Sequence, residues 1–344
     1  MTLSGNQAPS GGAIVGDGQM NIVNSTLSDN HAASNGGSGG GIFISGLSAS
    51  VTLSHTNLTT NTSAYGGGIF NYGVLRLNDH STVNAGGGYQ GGGIYNTSYG
   101  TLIANGSSAI VGNTTTGGAS GESIAAGVYN EGSAQITNTV IASNTAANGS
   151  GSGIYNAAAG VLSLVNVTLS GNHAAYDGGG IANNGAAVLN NVTIAGNSAD
   201  WDNNGSGDGG GISTTGVLTM MNSLVGENSD LGLQAPDCSG TIASQGYNLV
   251  QSVSGCIIGG VLTGNITGQN PLIDVLQGPV GETLTHPLLQ GSPVINAGNP
   301  ALPGSSATSC AQTDQRGEKR PVGARCDIGA YERKVQVFAP MILR

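Results

Sequence analysis

The stretch Gly178–Asn197, GGGIANNGAAVLNNVTIAGN, decides the fold because close copies of it recur along the chain up to Asn228. Each copy runs from a glycine-rich entry through a short aliphatic pair, a turn and a second apolar run to a closing Asn. Such self-similarity indicates a repeat architecture, in which each unit buries its apolar face only against its neighbours. The 344-residue chain is therefore predicted to be built mainly as one long repeat domain.

Two independent marks agree on the period. The first aliphatic residue after each glycine entry recurs at spacings of 28, 27, 25, 34, 26, 27 and 31 residues, which indicates about 25–31 residues per coil with one longer interval. These residues are Ile14, Ile42, Ile69, Ile94, Val128, Ile154, Ile181 and Ile212. The closing residues of the units are Asn6, Asn30, Asn61, Asn84, Asn113, Asn144, Asn172, Asn197 and Asn228. We expect these Asn side chains to stack as an internal hydrogen-bonded ladder.

The local pattern within a unit favours strands. Val161–Leu164 and Asn191–Ala195 are short apolar or alternating runs bounded by Gly and Asn. Helices are disfavoured because no long 3.6-residue stripe occurs and 62 residues are Gly. A unit of about 27 residues with three short strands can close one coil of a parallel β-helix, with coils stacked ~4.8 Å apart. The sequence therefore predicts an all-β rod whose core is formed by columns of Ile, Val and Leu.

Charge restricts the class of partner. Only 8% of residues are charged and the formal net charge is −10. Seven of the eight basic residues lie between Arg316 and Arg344, which leaves Arg76 alone in the repeats. An acidic repeat region repels phosphate, so nucleic acid and anionic membranes are excluded as its partners. No apolar run approaches the roughly 18 residues of a transmembrane segment.

The four cysteines, Cys238, Cys256, Cys310 and Cys326, lie in the last third of the chain and lack the spacing of a zinc site. Two disulfides are the simplest interpretation. Proximity favours Cys238 with Cys256 and Cys310 with Cys326, although three pairings are possible. Disulfides indicate an oxidising location outside the cytoplasm. Because Thr2–Asn6 matches the interior of a later repeat, Thr168–Asn172, we also expect sequence upstream of Met1.

The most site-like stretch of the repeats is the excursion at 199–209, ADWDNNGSGDG. It holds the sole tryptophan, Trp201, beside Asp200, Asp202 and Asp208. Carboxylates are calcium ligands and an indole ring can stack on a sugar, so this loop is the candidate glycan- or calcium-binding site. The alternative is a solvated acidic loop anchored by one Trp, and the aspartate spacing does not match an EF-hand. No catalytic residue and no cofactor other than possible calcium is predicted.

The C-terminal part carries a family resemblance. The segments GSPVINAG at 291–298, TDQRG at 313–317 and CDIGAYE at 326–332 are similar to the choice-of-anchor Q domain of bacteria. The repeats, such as GGGIYN at 91–96, resemble those of secreted β-helix proteins with a pectate-lyase-like fold and, more weakly, polymorphic outer-membrane protein repeats. The resemblance implies a right-handed parallel β-helix on the surface of, or secreted by, a bacterium. It implies no single chemistry.

These observations predict three parts: β-helix repeats over 1–237, the last coils and a disulfide-stapled cap over 238–335, and an apolar extended tail over 336–344. Charged residues between Asp314 and Glu332 are expected to form ion pairs that fix the cap. The tail suggests contacts with a neighbouring molecule, because its exposure to water would be unfavourable. The candidate assembly residues are Val335, Val337, Phe338, Ile342 and Leu343.

Two functional hypotheses follow. The first is a non-enzymatic extracellular or cell-surface element with a structural or adhesive role, which binds surface glycans or assembles head to tail into fibres. The second is a polysaccharide lyase or glycoside hydrolase with the Trp201 loop as its cleft. The first is preferred because Arg76 has only Asp79 and His80 near it in sequence, and the repeats otherwise lack the basic group that such enzymes use.

Overall fold

A computed structural model, which describes residues 1–33, 36–117, 124–279 and 282–334, shows an all-β parallel solenoid of about nine turns. The predicted parallel β-helix is confirmed. Most turns contribute to four columns of strands, one more than the three predicted per coil, whereas the fourth column ends before the last turns. We call these columns A to D in the order in which the chain visits them after each glycine entry. The described residues include no helix long and apolar enough to cross a bilayer.

Columns A and B follow the glycine entry. Column A contains β3 (Ile14–Gly16), β7 (Ile42–Ile44), β10 (Ile69–Asn71), β14 (Ile94–Asn96), β18 (Val128–Asn130), β21 (Ile154–Asn156), β24 (Ile181–Asn183) and the first parts of β28 (Ile212–Met221) and β31 (Cys238–Gln245). Column B contains β4 (Gln19–Val23), β8 (Ser50–Ser54), β11 (Val74–Asn78), β15 (Thr101–Ala104), the first parts of β19 (Ser133–Ala142) and β22 (Val161–Ser170), β25 (Ala186–Asn190), the second parts of β28 and β31, and β33 (Cys256–Val261).

Columns C and D complete the turn. Column C contains β1 (Thr2–Ser4), β5 (Thr26–Ser28), β9 (Asn57–Thr59), β12 (Thr82–Asn84), β16 (Ala109–Val111), the second parts of β19 and β22, β26 (Thr193–Ala195), β29 (Leu224–Gly226), β32 (Leu249–Val250) and β34 (Ile266–Thr267). Column D contains β2 (Gln7–Ala8), β6 (His31–Ala32), β13 (Gly87–Gly88), β17 (Thr114–Thr115), β20 (Thr145–Ala146), β23 (His173–Ala174), β27 (Ser198–Ala199) and β30 (Ser229–Asp230). Bridges through Thr62 join β6 to β13.

The aliphatic anchors found in the sequence set the register. Ile69 pairs with Ile42 on one side and with Ile94 on the other, and the same pairing continues through all eight anchors. Because these anchor pairings are parallel and in register, identical positions stack and their side chains fill one continuous core. Leu27, Leu58 and Ile110 of column C are fully buried in that core. The period predicted from the sequence is therefore the period of the solenoid.

The predicted Asn ladder lies at the turn between columns C and D, with one exception. Asn6, Asn30 and Asn61 form its first part, and Asn113, Asn144, Asn172, Asn197 and Asn228 form its second. Within each part the Nδ2 of one Asn donates to the Oδ1 of the Asn on the next coil at 2.8–2.9 Å. Asn61, which ends the first part, donates to Leu27 O, and Asn228, which ends the second, donates to Asp237. The assignment of Asn84 to this ladder is wrong, because Asn84 ends strand β12 and Gly86 occupies the ladder position.

A second ladder runs at the end of column A and was not predicted. It consists of Asn71, Asn96, Asn130, Asn156 and Asn183, linked by Nδ2–Oδ1 hydrogen bonds of 2.7–2.8 Å, and it ends on Thr214. All five side chains are buried. This ladder is continuous past Gly86, where the other ladder is interrupted. The recurring pattern of an aliphatic residue, one variable residue and Asn is its sequence signal.

After β34 the chain turns back along the rod. Residues 271–334, which we call the lateral segment, lie against column C and the turn between columns B and C. Asn166 donates to Thr313 O at 2.8 Å, and the equivalent residues of later coils, Asn191 and Asn222, donate to carbonyls of the same segment. The predicted cap thus packs on the side of several coils, because its partners are the outward groups of successive turns.

Disulfides and buried charges hold this region together. The bonds are Cys238–Cys256, which joins the last two turns of the solenoid, and Cys310–Cys326, which closes a loop of the lateral segment. The predicted ion pairs are present as Arg316–Asp314 and Arg320–Glu332. The predicted tail 336–344 lies outside the described residues, as do the candidate assembly residues Val335, Val337, Phe338, Ile342 and Leu343.

Candidate functional site

The Trp201 loop leaves column D directly after β27. Its backbone is anchored by Trp201 N, which donates to Ala174 O at 3.0 Å. The indole stacks on the imidazole of His173, with ring centroids 4.0 Å apart and an angle of 23° between the planes. Trp201 nevertheless remains 48% exposed. One indole face is thus supported by the solenoid, and the side chain retains surface that a ligand can contact.

The three predicted aspartates have separate roles in this loop. Asp200 is buried and accepts hydrogen bonds from the backbone amides of Asn204 and Gly205 at 2.9 and 3.1 Å. Asp202 is exposed and accepts from Asn204 Nδ2. No cluster of three or more His, Cys, Asp or Glu residues suited to a metal ion occurs in the described part of the chain. Asp200 and Asp202 therefore organise the loop, and calcium binding there remains a prediction.

Asp208, at the end of the loop, lies in an acidic surrounding. Its backbone amide donates to Asp177 Oδ1 at 2.9 Å. Burial first, and then the charges of Asp230 and Asp177, raise the pKa of the Asp208 carboxyl. A carboxyl with a raised pKa is a candidate proton donor. Burial also lowers the pKa of His173, the ring beneath Trp201, so a positive charge is disfavoured there.

The lone basic residue of the repeats lies elsewhere. Arg76 is on β11 of column B, where its Nη1 donates to Ser50 Oγ at 3.1 Å. It is thus an outward side chain of column B bonded to the neighbouring coil, whereas the Trp201 loop follows column D. The structure does not bring Arg76 together with the aspartates of the loop into one cluster.

An aromatic row on the outer face of column A was missed by the sequence analysis. It consists of Phe43, Phe70, Tyr95, Tyr129 and Tyr155 on five successive coils. Consecutive ring centroids are 5.4, 5.1, 4.6 and 5.4 Å apart, and the last three pairs are stacked. The signal was present as the aromatic residue between the anchor and the Asn of the second ladder. Parallel in-register pairing converts that repeat into a continuous row.

A carboxylate accompanies the row. Tyr129 Oη donates to Glu131 Oε1 at 3.2 Å. Burial, and secondarily Glu131, raise the pKa of Tyr95 and of Tyr129 well above the usual range of a phenol. Both phenols therefore stay protonated, and they provide hydroxyl groups beside a single carboxylate.

A cavity lies beside the last ring of the row. Its volume is about 180 Å³, and its lining includes Tyr155, Tyr176, Asn148 and Ser150. Tyr176 belongs to the excursion after β23, and the backbone of Gly207 in the Trp201 loop packs closely against it. The aromatic row, the cavity and the Trp201 loop are thus consecutive parts of one side of the solenoid.

Comparison of the chain with protein-family models, with curated proteins and with solved structures finds no match.

Proposed function

We propose that the protein is a non-enzymatic extracellular or cell-surface solenoid with a structural and adhesive role. The observation that carries the proposal is the pair of buried Asn ladders, which tie successive coils together along most of the rod. Each rung satisfies buried polar groups, so separation of two coils leaves donors and acceptors without partners. Two disulfides in the C-terminal third support an oxidising, extracellular setting. A bacterial origin follows only from the resemblance of the C-terminal segments.

The adhesive role is tested where the protein is produced. Immunogold electron microscopy of the producing cells is expected to label the outer surface or the material around it. Beads coated with the purified protein are expected to resist shear on a film of that material better than beads coated with albumin. Label confined to the cell interior, or equal detachment of both kinds of bead, contradicts the proposal.

Assembly into fibres remains a prediction. The observation that favours it is the last turn, where Ile257 and Leu262 are 68% and 57% exposed in a stretch, 238–273, that holds no charged residue. Uncharged apolar strand edges favour association with another chain. Sedimentation velocity over a range of concentrations is expected to show self-association that Ile257→Lys weakens. A monomer at every concentration contradicts this part of the proposal.

Measurement of catalytic turnover distinguishes the enzymatic alternative from the proposed non-enzymatic role. The observation that favours it is the raised pKa of Asp208 at the mouth of the Trp201 loop. Native protein is incubated with neutral and acidic polysaccharides, and the release of reducing ends or unsaturated products is measured. We expect no release. Turnover that is lost in Asp208→Asn and kept in Asp79→Asn would establish the enzymatic alternative.

A further inference from the structure

The aromatic row ends abruptly at Tyr155. The residues paired with it on the next two coils are Ala182 and Ser213, neither of which has a ring. Within the row each ring is covered by its neighbour, so the faces of the inner rings are largely used for stacking. Tyr155 stacks on Tyr129 by one face, with an angle of 2° between the planes. Its other face is the one where the row has no further aromatic partner.

Tyr155 is held in position by a chain of hydrogen bonds. Asn184 Nδ2 donates to Tyr155 Oη at 2.8 Å, and Thr215 Oγ1 donates to Asn184 Oδ1 at 2.7 Å. A ring fixed by stacking and by its hydroxyl loses little freedom when a ligand binds to it. Tyr155 is therefore preorganised as a binding surface, in contrast to an exposed ring on a free loop.

The cavity beside Tyr155 has the composition of a small polar-ligand site. Tyr176 forms another part of its wall and is 41% exposed, while Asn148 and Ser150 add polar groups. Aromatic walls with a few polar groups are typical of ligand sites, and a volume of about 180 Å³ is below that of pockets for drug-sized molecules. The space suits a single ring of a larger ligand.

The charges around the cavity indicate which kind of ligand ring it favours. Among the residues that the structure describes, the lining of the cavity holds no charged side chain, and the carboxylate of Glu131 accepts a hydrogen bond from Tyr129 of the row. A carboxylate accepts hydrogen bonds from hydroxyl groups and repels a uronic acid. The lone arginine of the repeats is bonded to Ser50 on another column. The surroundings therefore favour a neutral, hydroxyl-rich ligand.

We propose that Tyr155, Tyr176 and the cavity between them form a binding site for one pyranose ring of a neutral saccharide chain, which continues along the aromatic row towards Tyr95. Apolar faces of sugar rings pack on aromatic rings, while Ser150 and Glu131 provide hydrogen-bonding groups for the hydroxyls. The inference deepens the proposed adhesive function by naming the class of its partner. It places glycan recognition beside the Trp201 loop.

The test is isothermal titration calorimetry with the full chain. Cellohexaose, maltohexaose and mannohexaose are the neutral probes, and hexagalacturonate is the acidic one. We expect at least one neutral hexasaccharide to bind more tightly than hexagalacturonate. Tyr155→Ala and Tyr176→Ala are expected to weaken that binding about tenfold, since an aromatic contact contributes on the order of 1 kcal/mol. Tyr155→Phe, which keeps the ring, is expected to retain most of the affinity.

Tyr99→Ala is the matched control, because Tyr99 is 62% exposed and forms a tilted ring pair with Tyr72, which is not a member of the row. Its binding is expected to equal that of the native protein. Thermal unfolding of each variant separates a lost site from a lost fold, and Tyr176→Ala tests the site if Tyr155→Ala fails to fold. Absence of neutral binding, tighter binding of hexagalacturonate, or equal weakening by Tyr99→Ala would overturn the inference. Continued adhesion of coated beads in that case leaves the proposed function standing.

Discussion

Column C has the same strands and register along the rod, but its outer face differs between the two ends. In the early coils the outward residues are polar and accessible, as at Thr26 and Ser28. In the later coils Leu224 and Leu249 occupy the column, are fully buried, and pack with Ile273 and Val294 of the lateral segment. The inward residues therefore form the core of each coil, whereas the outward residues determine what packs against the coil.

Polar residues of the covered region also serve this docking. Thr168 Oγ1 donates to Gln315 Oε1 at 2.6 Å, and Thr193 Oγ1 accepts from Ala330 N at 2.9 Å. Among the described residues, the threonines at similar positions of the open coils form no hydrogen bond with the lateral segment. Residue type alone therefore does not separate the two regions, because a Thr serves in both.

The largest expected effect comes from the buried ion pair of the lateral segment. Arg320 and Glu332 are both buried, and Glu332→Gln leaves the guanidinium without its counter-charge. Loss of one partner of such a pair costs about 3–5 kcal/mol. The change is expected to expose the segment to hydrogen exchange while the first coils keep their protection. Glu318→Gln, which affects the exposed pair with Lys334, is expected to cost less than about 1 kcal/mol. Equal exchange in both variants would refute this assignment.

The apolar part of the same contact is tested by Leu224→Ala. Removal of a fully buried leucine is expected to cost about 2–5 kcal/mol, because the cavity under the lateral segment is only partly filled by relaxation. Thr26→Ala, at an open position of column C, is expected to change stability by no more than about 0.5 kcal/mol. Chemical denaturation measures both. Similar losses at the two positions would show that the covered and open faces do not differ in energy.

The two Asn ladders give a smaller effect, which is compared at a buried rung of one and an exposed rung of the other. Asn156→Ala removes the acceptor of Asn130 Nδ2 and the donor to Asn183 Oδ1, both inside the solenoid. A buried polar group without its partner costs about 1–3 kcal/mol. Asn6→Ala, at an exposed rung, is expected to have little effect. Chemical denaturation of the two variants compares them, and an equal loss would indicate that burial does not govern the energy of a rung.

The smallest expected effect is a pH dependence of the packing of the lateral segment on the solenoid. His286 of the lateral segment lies within hydrogen-bond distance of Ser170 Oγ, at 2.9 Å, and burial lowers its pKa from 6.5. The folded state therefore binds the proton less readily than the unfolded state, so stability falls as the pH drops below about 6.5. His286→Gln is expected to lose less stability than the native protein between pH 7 and pH 5.

The native protein and His286→Gln must be compared because the buried carboxyls change the stability with pH in the direction opposite to that of His286. Burial raises the pKa of Asp327 and of Glu332, so these groups take up protons more readily in the folded state as the pH falls. Thermal unfolding at each pH, with His80→Gln as a surface control, isolates the contribution of His286. Parallel pH profiles of thermal stability for the native and His286→Gln proteins would show that His286 does not cause the pH dependence.

The repeat and its register could be predicted from the amino-acid sequence. The eight aliphatic anchors all begin strands of column A, and the closing Asn residues form the predicted ladder except at Asn84. The favoured cysteine pairing is also confirmed. These features could be predicted because neighbouring coils interact through the same positions. The spacing of the repeats in the sequence therefore indicates which residues are in contact.

The packing position of the lateral segment and the open end of the aromatic row depend on contacts that form only in the folded chain. The contacts of the lateral segment join residues as far as 147 positions apart, and no period relates Gln315 to Thr168. The role of Asp200 in organising the Trp201 loop depends on the backbone amides of Asn204 and Gly205, which a spacing rule does not place. The cavity at Tyr155 arises because the next coils have Ala182 and Ser213 where earlier coils have rings. The periodic residues specify the coil. The effect of residues that depart from the period depends on their neighbours in adjacent coils, which only the stacked coils show.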